Sequence, residues 1–194
     1  MKNKVYFFLS AGRCGTQTLC ATLGRLRPDA VVLHEGIKGD FRYADKAYEF
    51  LRMVMSLSER QDVIITGWPT FIWLPMFKMH LGSRMVIIPL FRNAEDQISS
   101  LRGHDLENRV DDMAKMIPWG DVDAFVGEIA TMYARLRCWC IDAFKFEDIF
   151  FGNQDETARL AFLLDVDAEE LRTSLMNKVD AWPSRKQNAV LEGA

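Results

Sequence analysis

A short apolar run, Val5-Tyr6-Phe7-Phe8-Leu9, leads directly into Ser10-Ala11-Gly12-Arg13-Cys14-Gly15-Thr16-Gln17-Thr18, after which Leu19 to Leu26 reads as a helix. Strand, glycine loop and helix in that order aim backbone N–H groups and a helix N-terminus at a bound phosphate. The loop also narrows the choice by what it lacks. A Walker A loop runs Gly, four residues, then Gly-Lys-Ser/Thr. Here Thr16 follows Gly15, and the loop's one cation, Arg13, precedes Gly15. The loop is therefore read as an anion cradle without the ATPase lysine. Alone, Gly12 and Gly15 are equally compatible with a plain tight turn, so specificity has to come from a second segment.

Apolar runs and helical periodicity alternate down the rest of the chain. Ala30-Val31-Val32-Leu33 reads as a short second strand. Ala47, Phe50, Leu51 and Val54 recur at helical spacing and predict an amphipathic helix over Asp45–Ser58. Val63–Thr66 reads as a third strand, stopped by Gly67 and Pro69, and Met85–Leu90 as a fourth. Pro89 puts that fourth strand at a sheet edge, or puts the proline near the strand's end. Val122, Phe125, Val126, Ile129, Tyr133 and Leu136 mark a long helix, and Ala143–Phe146 a last strand. Asn153 with Glu156, and Asp167 with Glu170, have capping-box spacing. The expectation is one α/β domain over residues 1–194, three-layered, with a mainly parallel sheet flanked by helices. The glycine loop then falls at the C-terminal end of the first strand, where such sheets bind ligands.

Composition excludes several classes. A net charge of −3 offers no basic excess for general nucleic-acid binding. Any anion site must come from a few local cations. Cys14, Cys20, Cys138 and Cys140 are too few and too scattered for a disulfide scaffold. Cys138-Trp139-Cys140 lacks zinc spacing, so free thiols and no metal are expected. The apolar run after Lys2 and Lys4 is shorter than the roughly 7–15 residues of a secretory core. No stretch approaches the roughly 20 apolar residues of a membrane span. A cytoplasmic protein without stable membrane insertion is expected.

The second informative segment is Arg92-Asn93-Ala94-Glu95-Asp96-Gln97-Ile98-Ser99-Ser100, directly after the fourth strand. An arginine there, with a hydroxyl eight residues on across a helix start, can grip a second phosphate through the guanidinium fork. A lone arginine is by default a surface ion-pair residue; its place at a strand end sets this one apart. Together the two segments resemble the sulfotransferases that use 3′-phosphoadenosine-5′-phosphosulfate (PAPS). Arg13-Cys14-Gly15-Thr16 looks like that family's Lys/Arg-x-Gly-Thr loop for the 5′-phosphosulfate. Arg92, Asn93, Asp96 and Ser100 match its Arg-Asn-Pro-x-Asp-x-x-x-Ser segment, whose Arg and Ser hold the 3′-phosphate. Lys145-Phe146-Glu147-Asp148-Ile149 is similar to its Arg/Lys-Tyr-Glu-Asp-Leu. The resemblance spans residues 5 to roughly 165. Ala94 replaces the usual proline, and Thr18 stands where many members carry an adenine-stacking tryptophan. Arg185-Lys186-Gln187 only echoes a late Arg-Lys-Gly loop.

The resemblance implies a P-loop-like fold and transfer of a sulfuryl group from PAPS, without a metal, to a hydroxyl or amine of a small-molecule, lipid or glycan acceptor. Donor-binding residues would be Arg13, Cys14, Gly15, Thr16, Gln17, Thr18, Arg92, Ser100, Arg185 and Lys186. Arg13 and the N–H groups around Gly15–Gln17 would stabilise charge on the leaving oxygen. Glu35 is the expected general base and His34 the alternative, since both follow the second strand. A solvated loop pair is the competing reading of those two, and a solvated tail that of Arg185 and Lys186. Acceptor contacts are expected from Gly36–Tyr43, Trp68–Leu81 and Gly103–Val122, with Trp68, Trp119 and Trp182 as flanking or merely packed aromatics. Met53, Met55, Met76 and Met79 read as core or pocket filler. Two other functions stay open: a P-loop kinase-like enzyme, and a non-catalytic homologue that keeps the nucleotide site.

Overall fold

The computed structural model describes residues 3–10, 14–34, 44–67, 73–93, 95–100 and 143–180. The predicted helix around Val122–Leu136 and the residues Trp68, Trp119, Trp182, Cys138 and Cys140 lie outside them. The chain forms two compact units, Met1–Phe146 and Glu147–Ala194.

The first unit is built on a sheet of five strands: β1 Val5–Leu9, β2 Val31–His34, β3 Val63–Thr66, β4 Met85–Phe91 and β5 Phe144–Lys145. Their order is β2-β3-β1-β4-β5 and every pairing is parallel. Parallel neighbours need crossovers, and helices supply them: α1 Thr16–Leu26, α2 Ala44–Leu57 and α3 Leu74–Leu81. Both sheet faces are covered, which is why the strands read as continuous apolar runs rather than alternating ones. Val5, Phe7 and Leu9 share one face with Val63, Ile65, Met85 and Ile87. Ala47, Phe50, Leu51 and Val54 of α2, and Leu74, Phe77 and Leu81 of α3, close over that face. Side chains alternate along a strand, so Tyr6, Phe8, Ile64 and Ile88 point the other way. There α1 packs on β2 and β3, with Leu19 and Leu23 fully buried.

Several boundaries differ from the sequence reading. Helix α1 opens at Thr16, three residues early, because Gly15 already turns the chain. Strand β2 takes in His34 and omits Ala30. Residues Leu74–Leu81, expected within an acceptor loop, are helical. The last strand is only Phe144–Lys145. Pro89 lies in a strand paired on both sides, not at an edge. The β1 ladder ends at Pro89 and the β5 ladder begins at Leu90, so its missing N–H falls where the two meet. Met53 and Met79 are exposed rather than core, whereas Met55 and Met76 pack against the core.

At the opposite ends of the strands, Arg27 braces three segments. Its guanidinium donates to both Asp29 carboxylate oxygens at 2.9 Å and to Asp62 at 3.0 Å. Asp62 also accepts the Lys4 N–H at 2.7 Å. The side chain of Arg27 is 7% exposed, so truncating it opens a gap in the packing and takes the guanidinium from half-buried Asp62. Arg27→Ala is expected to lose about 2 kcal/mol, read as a lower urea midpoint; an unchanged midpoint would show that the brace is idle. The hydrogen bonds from Arg27 hold the Asp29 carboxyl below its usual range. That share of stability is present above the ordinary aspartate value of about 4 and fades as pH falls through the lowered one. Asp29 is two-thirds exposed, and water screens much of it.

In the second unit, α5 Gln154–Leu164 and α6 Ala168–Asp180 follow α4 Phe146–Phe150, and α5 packs on α6. The Asn153 side chain accepts the Glu156 N–H at 3.3 Å, and Asp167 that of Glu170 at 2.8 Å. Both expected N-caps form. The first is a simple cap rather than a reciprocal box, because the Asn153 N–H goes to the Asp148 carbonyl and Glu156 pairs with Arg159.

Candidate functional site

The strand order fixes where a ligand can sit. The chain leaves β1 toward β2 on one side and leaves β4 toward β5 on the other. Neighbouring strands whose connections diverge open a crevice at their C-terminal ends. The segments after β1 and β4 are the two motifs singled out in the sequence. Leu9 lies level with Pro89, so both motifs start from the same edge of the sheet.

After β1, Gly15 adopts the left-handed conformation, φ 71° and ψ 15°. Glycine enters that region without the penalty a Cβ brings. Its carbonyl accepts the Leu19 N–H at 2.9 Å and opens α1. No side chain caps this helix and no acidic residue sits in its first turn. The first N–H groups thus have no side-chain cap, and the positive end of the helix dipole meets no carboxylate of its own first turn. Cys14, Thr16 and Thr18 are buried while Gln17 is exposed.

After β4, Arg92 is followed by Asn93, whose Oδ1 accepts the N–H groups of Glu95 at 3.0 Å and Asp96 at 3.2 Å. Asn93 is thus the cap of the helical residues 95–100. The Arg92 guanidinium carbon stands 4.8 Å from the centroid of the Phe146 ring. Gln97, on the helix's first turn, is 4% exposed and donates from Nε2 to Cys14 Sγ at 3.2 Å. This bond ties the two motifs to each other across 83 positions of sequence. Ser100 is half-buried on the same helical segment.

His34 ends β2 and pairs in register with Thr66, which pairs with Phe8. It lies two strands from β1, about 10 Å at the usual strand spacing. Its Nδ1 is 3.0 Å from the Thr66 carbonyl and 3.3 Å from Thr66 Oγ1. A carbonyl only accepts, so Nδ1 is the donor of this contact. Cys20 also reaches Thr66. Burial pushes its thiol up, against a hydrogen bond from Thr66 that favours the thiolate. Cys20 is therefore protonated at neutral pH and is no nucleophile.

Of the predicted site residues, Cys14, Gly15, Thr16, Gln17, Thr18, Arg92, Ser100 and His34 lie on elements that meet at this one sheet edge. Arg13, Glu35, Arg185 and Lys186 lie outside the described residues. Sequence reasoning missed Gln97 and Phe146 as parts of the site. A cavity of about 630 Å³, lined by Asn3, Ser58, Met79, Arg84 and neighbours, opens at the N-terminal ends of the strands, away from both motifs. Among the described residues, no cluster of metal-ligating side chains is found, and no helix is long and apolar enough to cross a membrane.

Neither a protein-family model nor a curated protein sequence matches the chain. Solved structures do. A sulfotransferase from Alicyclobacillus acidocaldarius superposes with a TM-score of 0.60 at 15% identity, covering 87% of this chain and 83% of its own. Shikimate kinase from Acinetobacter baumannii, in complex with shikimate, gives 0.56 at 15% identity, covering 84% and 93%. The YorR protein from Bacillus subtilis, in complex with phosphorylated GDP, gives 0.57 at 12% identity, covering 84% and 96%. The fold is P-loop-like. At these identities the likeness concerns the fold, and the chemistry has to be argued from the site.

Proposed function

We propose that this chain is a sulfotransferase taking its sulfuryl group from PAPS. The observation that carries the reading is the pair of anion grips at the ends of adjacent strands β1 and β4, joined by the Gln97–Cys14 bond. One grip is a helix N-terminus behind Gly15 without a lysine, and the other is Arg92 with a second capped helix start. A ligand with phosphate groups at both ends of an adenosine suits two separated grips. The solved sulfotransferase with this fold adds support.

In this reading the bond from sulfur to the 5′-phosphate oxygen breaks as the acceptor oxygen or nitrogen bonds to sulfur. The electron pair leaves with 3′,5′-adenosine bisphosphate, and the acceptor proton passes to a base. Arg13, the N–H groups around Gly15–Gln17 and the hydroxyls of Thr16 and Thr18 receive the growing negative charge. Arg92 and Ser100 hold the 3′-phosphate. Of the two base candidates, His34 is the base in this reading; its ring is held through Nδ1, 3.0 Å from the Thr66 carbonyl. His34→Ala should lower kcat by about 100-fold or more, with Glu35→Gln nearly unchanged. The reverse pattern moves the base to Glu35. The acceptor is a small molecule, lipid or glycan, and a cytoplasmic setting fits a donor made inside cells.

A P-loop kinase is the second reading, favoured by the fold shared with shikimate kinase. Thermal shift separates the two. A ligand at about 100 times its Kd adds about 2.7 kcal/mol, so 3′,5′-adenosine bisphosphate should raise the melting temperature by several degrees, well beyond ATP with magnesium. Greater stabilisation by ATP with magnesium would favour the kinase. Nucleotide stabilisation without sulfuryl transfer to any acceptor would leave a non-catalytic homologue.

A further inference from the structure

We propose that Phe146 is a positioning residue that holds the Arg92 guanidinium ready for the 3′-phosphate; this rests on the nucleotide reading above. The register places the two side by side. Leu90 pairs with Phe144 and Phe91 with Lys145. Arg92 and Phe146 are the next residues along each strand. Strand β5 stops there and the chain turns into α4, with Phe146 3% exposed. A ring fixed in that way gives the arginine a rigid wall.

The geometry suits both tasks at once. The guanidinium carbon lies 4.8 Å from the ring centroid, within the distance at which the ring's negative face attracts a cation. Stacking uses the flat face of the guanidinium. Phosphate is bound by the N–H groups in its plane. A ring that meets the flat face would hold the cation without using the in-plane donors. An arginine already confined also loses less side-chain freedom when phosphate arrives. Lysine cannot exploit the arrangement as well, since its ammonium has no flat face.

The experiment measures the ratio of dissociation constants for 5′-AMP and 3′,5′-adenosine bisphosphate, which isolates the 3′-phosphate. The unaltered protein should prefer the bisphosphate strongly. Phe146→Leu, apolar but without a π-face, should cut the preference by about fivefold to tenfold with 5′-AMP affinity unchanged. Phe146→Tyr should restore it. If Phe146→Leu does not fold, Phe146→Met carries the same expectation. A purely structural role would lower the melting temperature and weaken both ligands alike, leaving the ratio intact, and that result overturns the proposal. A strong preference in the unaltered protein that Phe146→Leu retains overturns it alone. No preference in the unaltered protein overturns the nucleotide reading, and this proposal with it.

Discussion

Arg92→Ala is expected to weaken binding of 3′,5′-adenosine bisphosphate by about 100-fold, the largest loss from any single side chain in the nucleotide site. Two hydrogen bonds from a cation to a phosphate contribute about 1.5–3 kcal/mol each. Part of that returns when water takes their place, and about 3 kcal/mol of net loss corresponds to about 100-fold. Arg92 sits just past the end of β4, half-buried, with Leu90 and Phe91 before it held in the β5 ladder. The fold should therefore survive, with a melting temperature within a few degrees of the parent. Arg92→Lys keeps the charge but loses the fork and most of the stacking on Phe146, so it should recover only part of the affinity. Calorimetric titration of the three proteins checks this. A loss under about fivefold in Arg92→Ala would show that the arginine is a surface cation and that the 3′-phosphate, if bound, is held elsewhere.

The parts of this molecule that were legible in the sequence are those set by burial. Strands β1 and β3 have the predicted bounds, because a strand buried on both faces is an uninterrupted apolar run and ends where the run ends. Asn93 was matched as a motif residue, and its role as a helix cap follows from the amide two positions before the first freed N–H. Helix α3 was missed for a physical reason. The whole stretch Trp68–Leu81 reads as loop once Gly67 and Pro69 stop the strand, yet Pro75 stands in the first turn of a helix, where a proline forgoes an N–H with no partner to lose. Leu74, Phe77 and Leu81 already carried the helical spacing. For Pro89 the sequence leaves edge position and strand end open, since the residue alone does not separate them, and the strand-end reading is the one that holds. The site was only half legible. Arg92 and Gly15 carry their chemistry in their residue type. Gln97 and Phe146 stand out only through the partners they meet, Cys14 and Arg92, which the fold supplies. Periodicity reports that a side chain is buried, never against what.

Helix α3 also carries the largest expected effect on stability. Phe77 is fully buried, and its ring lies 5.4 Å from Phe7 of β1 at an interplanar angle of 29°. It also meets Phe50 of α2 edge-on at 6.0 Å and 84°. One ring thus joins the central strand to two helices on the same face. Phe77→Ala removes both ring contacts and leaves a void that short α3, anchored also by Leu74 and Leu81, can only partly close. The expected loss is about 3–5 kcal/mol. For a chain of this size that lowers the melting temperature by roughly 10 °C. Phe77→Leu should cost about a third as much, since most of the apolar volume stays. Denaturant melts of both variants measure the difference. A loss under about 1 kcal/mol in Phe77→Ala would mean that α3 is loosely docked and that α2 alone covers this face of β1. In that case the loop after β1 should loosen too. Phe7 stands two residues before Leu9, and Leu9 is the last paired residue before the turn that Gly15 completes.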